Sequence, residues 1–346
     1  MLFYETITLL MEEELSLMNP DLQNFKTIFL SIILEAFPFI LLGVMVSALL
    51  QMFVSEETIR RLMPRNYILG IVVACLLGII APLCECGMIP VVRQLIRKGM
   101  PVYAGVTYIL AAPIINPVVF ASTSMAFRAE PDLVFARMGL AFVASAVIGL
   151  ILYKTVRGNP LRAAPSGNAG VQHLHTDVHD PHHHHEHDGK HHHHDHHHHV
   201  HHHHHNHQKL AGRVSALLAH ASGEFFDMGK YLMFGALLTA LIQTLLSREL
   251  LTSWGSDVMG GHLFMMGFAY ILSICSTSDA FVASSFGSLF TKGPLLTFLV
   301  FGPMLDLKTT LMLLSTFRVK FVMGLMALII VVVGVGSLIT ELILWK

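Results

Sequence analysis

Apolar residues in this chain come in long unbroken runs rather than in alternation. The runs cover residues 25–53, 67–83, 102–127 and 133–153, and then 217–246, 263–290, 295–317 and 321–344. A helix needs about 20 mostly apolar residues to cross a bilayer, so the pattern predicts an all-α polytopic membrane protein with about eight hydrophobic segments. Residues 1–24 form an N-terminal segment, 25–153 a first membrane half, 154–213 a polar loop and 214–346 a second membrane half.

The two halves repeat one another in outline. Each opens with a glutamate (Glu35, Glu224), a central glycine (Gly43, Gly235) and a later glutamine (Gln51, Gln243). Each interrupts its second apolar run with polar residues, Cys84-Glu85-Cys86-Gly87 in one half and Cys275-Ser276-Thr277-Ser278-Asp279 in the other. A basic-glycine turn follows, Lys98-Gly99 or Lys292-Gly293, and then proline, two apolar residues and a polar acceptor, Pro113 to Asn116 or Pro303 to Asp306. Repeated halves with interrupted helices in corresponding places point to a secondary transporter whose site lies between the repeats. The plainer alternative is that the prolines only kink packing helices.

Orientation depends on how the interrupted segments run. If the Cys84 and Cys275 segments are re-entrant, Arg60, Arg61, Arg65, Arg93, Arg97, Lys98, Lys154, Arg157, Arg318 and Lys320 all face the cytoplasm by the positive-inside rule and the halves are inverted. If both cross fully, the halves are parallel. Inversion is favoured, and either arrangement puts the 154–213 loop in the cytoplasm.

Composition sharpens this reading. The chain is 53% hydrophobic and 13% charged, against about 25% charged residues in a soluble domain. A formal net charge of −1 excludes a basic nucleic-acid binder. Residues 1–23 carry Glu5, Glu12, Glu13, Glu14 and Asp21 and no basic stretch before a short apolar core, so no cleavable signal peptide is expected. The four cysteines, Cys75, Cys84, Cys86 and Cys275, are too few for a disulfide framework.

Cys84 and Cys86, at i and i+2 on an irregular segment, can present two thiolates to one cavity, and thiolate selects soft cations such as Cu(I), Zn(II) or trivalent arsenic. Glu85 offers a proton site or a hard oxygen, and Cys275 a third thiol. Asp279 and Asp306 are ionisable groups in apolar surroundings, a functional signal by default. Asn116, Ser276 and Ser278 add neutral oxygens along the same path. Buried cysteines as plain fillers, and Lys308 as a simple partner for Asp306, are the structural alternatives.

The loop holds 22 of the 24 histidines. His173, His175, His179, His182, His183, His184, His185 and His187 make up its first cluster; His191, His192, His193, His194, His196, His197, His198 and His199 continue it. Interspersed acids and too few apolar residues to bury a core predict disorder. Neutral imidazoles bind Zn, Cu and Ni, so the tract is a candidate metal collector, with low-complexity expansion as the alternative. No phosphate-binding loop of the Gly-x-x-x-x-Gly-Lys type occurs, and a membrane thiol oxidoreductase would more often show a Cys-x-x-Cys pair.

Cys84 to Gly87, Ala112 to Pro117, Ser276 to Ala280 and Gly302 to Lys308, in that order, resemble a predicted-permease family that includes organoarsenical (ArsP-type) efflux permeases. With its histidine-rich loop the chain is most similar to the branch regarded as copper/zinc efflux transporters. The resemblance implies a bacterial inner-membrane exporter, not an enzyme, with no tightly bound cofactor and with lipid and a metal ion or metalloid as its partners; the oligomeric state stays open. Export of copper or zinc through the Cys-Glu-Cys segment is the leading expectation. Trivalent arsenicals are the rival cargo, and a thiol oxidoreductase or a metal sensor the alternatives of another class.

Overall fold

A computed structural model describes residues 20–53, 66–80, 85–156, 207–245, 258–287 and 289–345, with a few single residues between 57 and 64 and near 160. Among the described residues the architecture is all-helical, and a single isolated bridge joins Leu161 to Phe317. The histidine tract, Cys84 and the Gln51 and Glu224 side chains lie outside the described residues.

The first half runs α1 (Pro20–Phe53), α2 (Tyr67–Ile80), α3 (Glu85–Arg97), α4 (Val102–Ala111), α5 (Pro117–Ala126) and α6 (Pro131–Thr155). The second repeats that order with α7 (His207–Leu245), α8 (Val258–Leu272), α9 (Asp279–Ser285), α10 (Lys292–Met304), α11 (Leu307–Thr316) and α12 (Val319–Leu344). Five stretches among the described residues are long and apolar enough to cross a membrane: Leu22–Leu50, Pro131–Thr155, Ala221–Thr244, Lys292–Thr316 and Val319–Leu344. The other apolar runs come out as shorter helices. With 14 residues, α2 reaches about 21 Å at 1.5 Å per residue, short of the roughly 30 Å hydrocarbon core.

The faces of these helices are those of a protein solvated by lipid. Leu34, Phe135, Leu263, Phe226 and Ile343 are 65–74% exposed on the outside, whereas Arg137, Asp279, Asp306 and Lys308 are buried. That inverts the usual soluble arrangement, in which large exposed apolar patches are avoided. Lys292–Thr316 is 83% buried over its most apolar window and forms the middle of the body.

Close contacts fix the helix directions. Gly70 lies against Tyr103 and Gly78 against Ala112, so α2 and α4 run parallel. The turn at Lys98–Met100, where Gly99 takes φ 100°, reverses α3 into α4. A left-handed φ favours glycine there. Consequently α2 and α3 form an antiparallel hairpin, whose tip end, marked by Ile80 and Glu85, is level with the end of α4. In the second half Gly261 lies against Pro294 and Ala269 against Gly302, so α8 and α10 are also parallel. Stacked Phe264 and Phe290, and edge-on Phe268 and Phe286, carry the chain back up along α8.

Contacts between the halves complete the frame. At one end the Lys292 ammonium donates to Asp132 Oδ2 at 2.9 Å, and Trp345 Nε1 donates to the same oxygen. At the other the Arg318 amide donates to the Pro160 carbonyl at 3.0 Å. α6 and α12 therefore run antiparallel. Tyr67, Tyr103 and Tyr153 meet ring to ring, which puts the start of α2, the start of α4 and the end of α6 at one level.

Candidate functional site

Each half contains one broken helix, and both breaks are closed by a side-chain cap. Asn116 has extended backbone (φ −131°, ψ 154°), and its Oδ1 accepts from the Val119 amide at 2.8 Å, with Pro117 in the first turn. Its Nδ2 donates back to the Ala112 and Pro113 carbonyls at 3.1 and 3.2 Å. One neutral amide thus satisfies both sides of the break, which a helix interrupted in hydrocarbon requires. Asp306 has matching backbone (φ −128°, ψ 174°), and its Oδ1 accepts from the Thr309 amide at 2.5 Å. As a carboxylate at a helix N-terminus it is favoured by the dipole. It has no hydrogen to give the preceding carbonyls, however, and its Oδ2 is free to face Lys308 at 3.8 Å.

The tip of the first hairpin comes to this second break. Glu85 opens α3 and is buried, and its Oε1 lies 3.6 Å from the Lys308 ammonium. Lys308 also donates to the Ser273 carbonyl at 3.4 Å. Ser273 ends α8 in the left-handed region, with φ 46°, the conformation that commonly terminates a helix. Such strain in a residue other than glycine persists where the surroundings hold it.

Glu85, Cys86, Cys275 and Lys308 line a cavity of about 10 Å³, which is room for about one water. Ile32, Glu35, Ala36 and Phe39 of α1 close its other side. Glu35, which its position in the apolar run suggested to be near a helix entrance, instead sits mid-helix because α1 begins fifteen residues earlier, at Pro20. α1 approaches closely because Gly43 packs on Gly87 backbone to backbone, where a Cβ on either glycine would overlap the other helix.

Asp279 lies apart from Lys308. It opens α9 and accepts from Arg137 Nη2 at 2.6 Å. Arg137 is fully buried; its Nη1 donates to Thr123 Oγ1 at 2.7 Å and its Nη2 also to the Ser276 carbonyl at 3.3 Å. Arginine ties the second hairpin tip to α5 and α6 at three points. It had a sequence signal, a cation inside the apolar run 133–153, which alone marks a position worth inspecting.

The expected site residues therefore divide. Glu85, Cys86 and Cys275 meet at one cavity beside Asp306, with Cys86 and Cys275 both buried and outside any disulfide. Ser276 and Asp279 belong to the Arg137 cluster, Asn116 caps α5, and Ser278 is exposed at the start of α9. Cys84, His173 to His187 and His191 to His199 lie outside the described residues. Among the described residues no three His, Cys, Asp or Glu side chains stand ready to hold a metal ion. Glu85 Oε2, Asp306 Oδ2 and Asp279 Oδ1 are buried with no hydrogen-bond partner among those residues.

Comparison with known proteins bears on this arrangement. The chain matches the family described as predicted permease (ArsP_1) over residues 21–342. It is 44% identical over 318 residues to the UPF0718 protein YcgR of Bacillus subtilis, covering 92% of this chain and 97% of the relative. A Streptococcus mutans protein named a putative two-component membrane permease complex subunit is 33% identical over 308 residues, covering 88% and 92%. None of the solved structures matches the chain. With a match across nearly its whole length, the chain belongs to the predicted permease family.

Proposed function

We propose that this permease exports soft transition-metal ions, copper or zinc, across the bacterial inner membrane through the cavity at the first hairpin tip. One observation carries the reading: Cys86 from the first half and Cys275 from the second line the same buried cavity with Glu85. Thiols and a carboxylate are the donor types a soft cation takes, and Cys84, next in sequence to Glu85, offers a further thiol. Among the described residues no three such side chains stand ready to hold a metal ion, so a cargo ion would have to draw these donors together, in contrast with the preformed four-ligand shell of structural zinc.

We read the two halves as an inverted repeat. The antiparallel course of α6 and α12 and the two hairpins with tips beside the breaks support this. Hairpin tips and breaks then converge near the midplane, where broken-helix transporters bind cargo. Arg97, Lys98, Lys154, Arg318 and Lys320 fall at the end where α6 finishes and α12 begins, which the positive-inside rule assigns to the cytoplasm. The histidine tract follows α6, so it gathers metal on that side. The name of the S. mutans relative supports a second membrane subunit as a partner; co-purification of a membrane protein with the tagged chain tests this, and a chain that transports when reconstituted alone argues against it.

The test is accumulation of copper, zinc and trivalent methylarsenical in sensitive cells. Lower copper or zinc that returns to control in Cys86→Ser and Cys275→Ser cells supports the reading. Lower arsenical alone moves the cavity to the rival cargo.

A further inference from the structure

We infer that Lys308 is a tethered cation that occupies the cargo site when it is empty and leaves it when a metal ion binds. The inference rests on the cavity being the cargo site, as proposed above.

The two buried ion pairs are held very differently. Arg137 is clamped, with a 2.6 Å bond to Asp279 and two further acceptors. Lys308 touches Glu85 at 3.6 Å, Asp306 at 3.8 Å and the Ser273 carbonyl at 3.4 Å, all longer than the roughly 2.7–2.9 Å of a charge-assisted hydrogen bond. It is shared among three acceptors and saturates none. Glu85 Oε2 and Asp306 Oδ2 keep unused acceptor capacity, so the pocket is built for more positive charge, or better-placed charge, than one ammonium delivers.

Space makes the two occupants exclusive. The cavity holds about 10 Å³, and a metal with even two ligands cannot enter beside the ammonium. Backbone movement is not the way out, because Gly235 of α7 packs on the Lys308 Cα, where a Cβ would lie at 3.2 Å. The flexible four-carbon stem is the part free to move. Displacement also resolves a difficulty common to carriers. A site that attracts cations is strongly disfavoured when it must cross the cycle empty in low dielectric, and Lys308 offsets part of its negative charge for that step.

The experiment uses the full chain in liposomes with Zn²⁺ and Cu⁺ as probes. Net efflux into metal-free buffer is compared with counterflow, in which labelled metal outside exchanges for unlabelled metal inside. Lys308→Met should exchange metal within about twofold of wild type but lose net efflux by roughly tenfold or more, because the loaded site still moves and the empty one does not. Loss of both in a variant that elutes as a folded protein, or retention of both, overturns the inference. Lys308→Arg, which keeps the charge and adds a bidentate fork, should compete better and raise the half-saturating metal concentration by about tenfold; an unchanged value contradicts displacement. Failure of the cargo reading looks different: wild type then moves neither metal, and the inference falls with it.

Discussion

Arg137 and Asp279 stand 142 positions apart and form a 2.6 Å ion pair with side chains 0% and 3% exposed. Removing one partner of such a pair costs about 3–5 kcal/mol, because the other is left charged and buried. Arg137→Met and Asp279→Leu alone should each lower the melting temperature of the purified protein sharply. The double variant should recover much of the loss; a double variant less stable than either single one would show that the pair is not the unit.

The two breaks should respond oppositely to one exchange. Asn116→Asp removes the Nδ2 donor to Ala112 and Pro113 and should cost about 1–3 kcal/mol for the orphaned acceptors. Asp306→Asn keeps the cap on Thr309 but removes the charge facing Lys308. It should leave thermal stability nearly unchanged and reduce metal efflux. Equal stability losses at both positions would argue against the distinction drawn between the two breaks.

The contact of Gly43 with Gly87 sets how near α1 comes to the cavity. Gly43→Leu cannot be absorbed by a flexible neighbour, since what it meets is backbone. Overpacking of this kind costs about 1–3 kcal/mol, and the variant should show reduced thermal stability with a widened cavity entrance. Cysteine labelling at Cys86, negligible in wild type, should become measurable; unchanged labelling with normal stability would mean that α1 is not seated as described.

Much of this was legible in the chain. The polar positions Asn116 and Asp306 stand out among apolar residues, but their capping role does not, and Glu85 to Gly87, read as irregular backbone, open a helix. What local pattern could not supply was pairing at distance. Pairing of Lys308 with Asp306, two residues away, is the structural alternative the sequence offers and is present at 3.8 Å, but Lys308 sits slightly nearer Glu85, 223 residues away in sequence. Cys275 was placed beside Cys86 only as a candidate, since nothing short-range brings them together. Hydropathy marks eight apolar runs, of which five come out among the described residues as helices long and apolar enough to cross a membrane. His262 was also passed over: its ring lies 2.6 Å from Thr297 Oγ1 and 2.8 Å from Glu341 Oε2, buried at the end of the body opposite the basic residues. His262→Leu strands Glu341 near α10 and should destabilise the protein, whereas His262→Gln, able to donate to the carboxylate, should be tolerated better; thermal melting decides between them.

The histidine tract makes a separate demand. Deletion of residues 173–207 should weaken metal efflux at low cytoplasmic metal and leave the maximal rate in liposomes intact, because collection and passage are distinct steps. Complete loss in liposomes would make the tract part of the route.

The most direct measurement compares copper and zinc accumulation in metal-sensitive cells carrying the intact chain, Glu85→Gln, Cys86→Ser or Cys275→Ser, at matched membrane expression. Export through a cavity built jointly by the two halves requires that the intact chain lower accumulation and that each variant, in either half, restore it toward the control. Unimpaired export by both Cys86→Ser and Cys275→Ser would contradict the account, since the thiols that meet in the cavity would then have no part in passage.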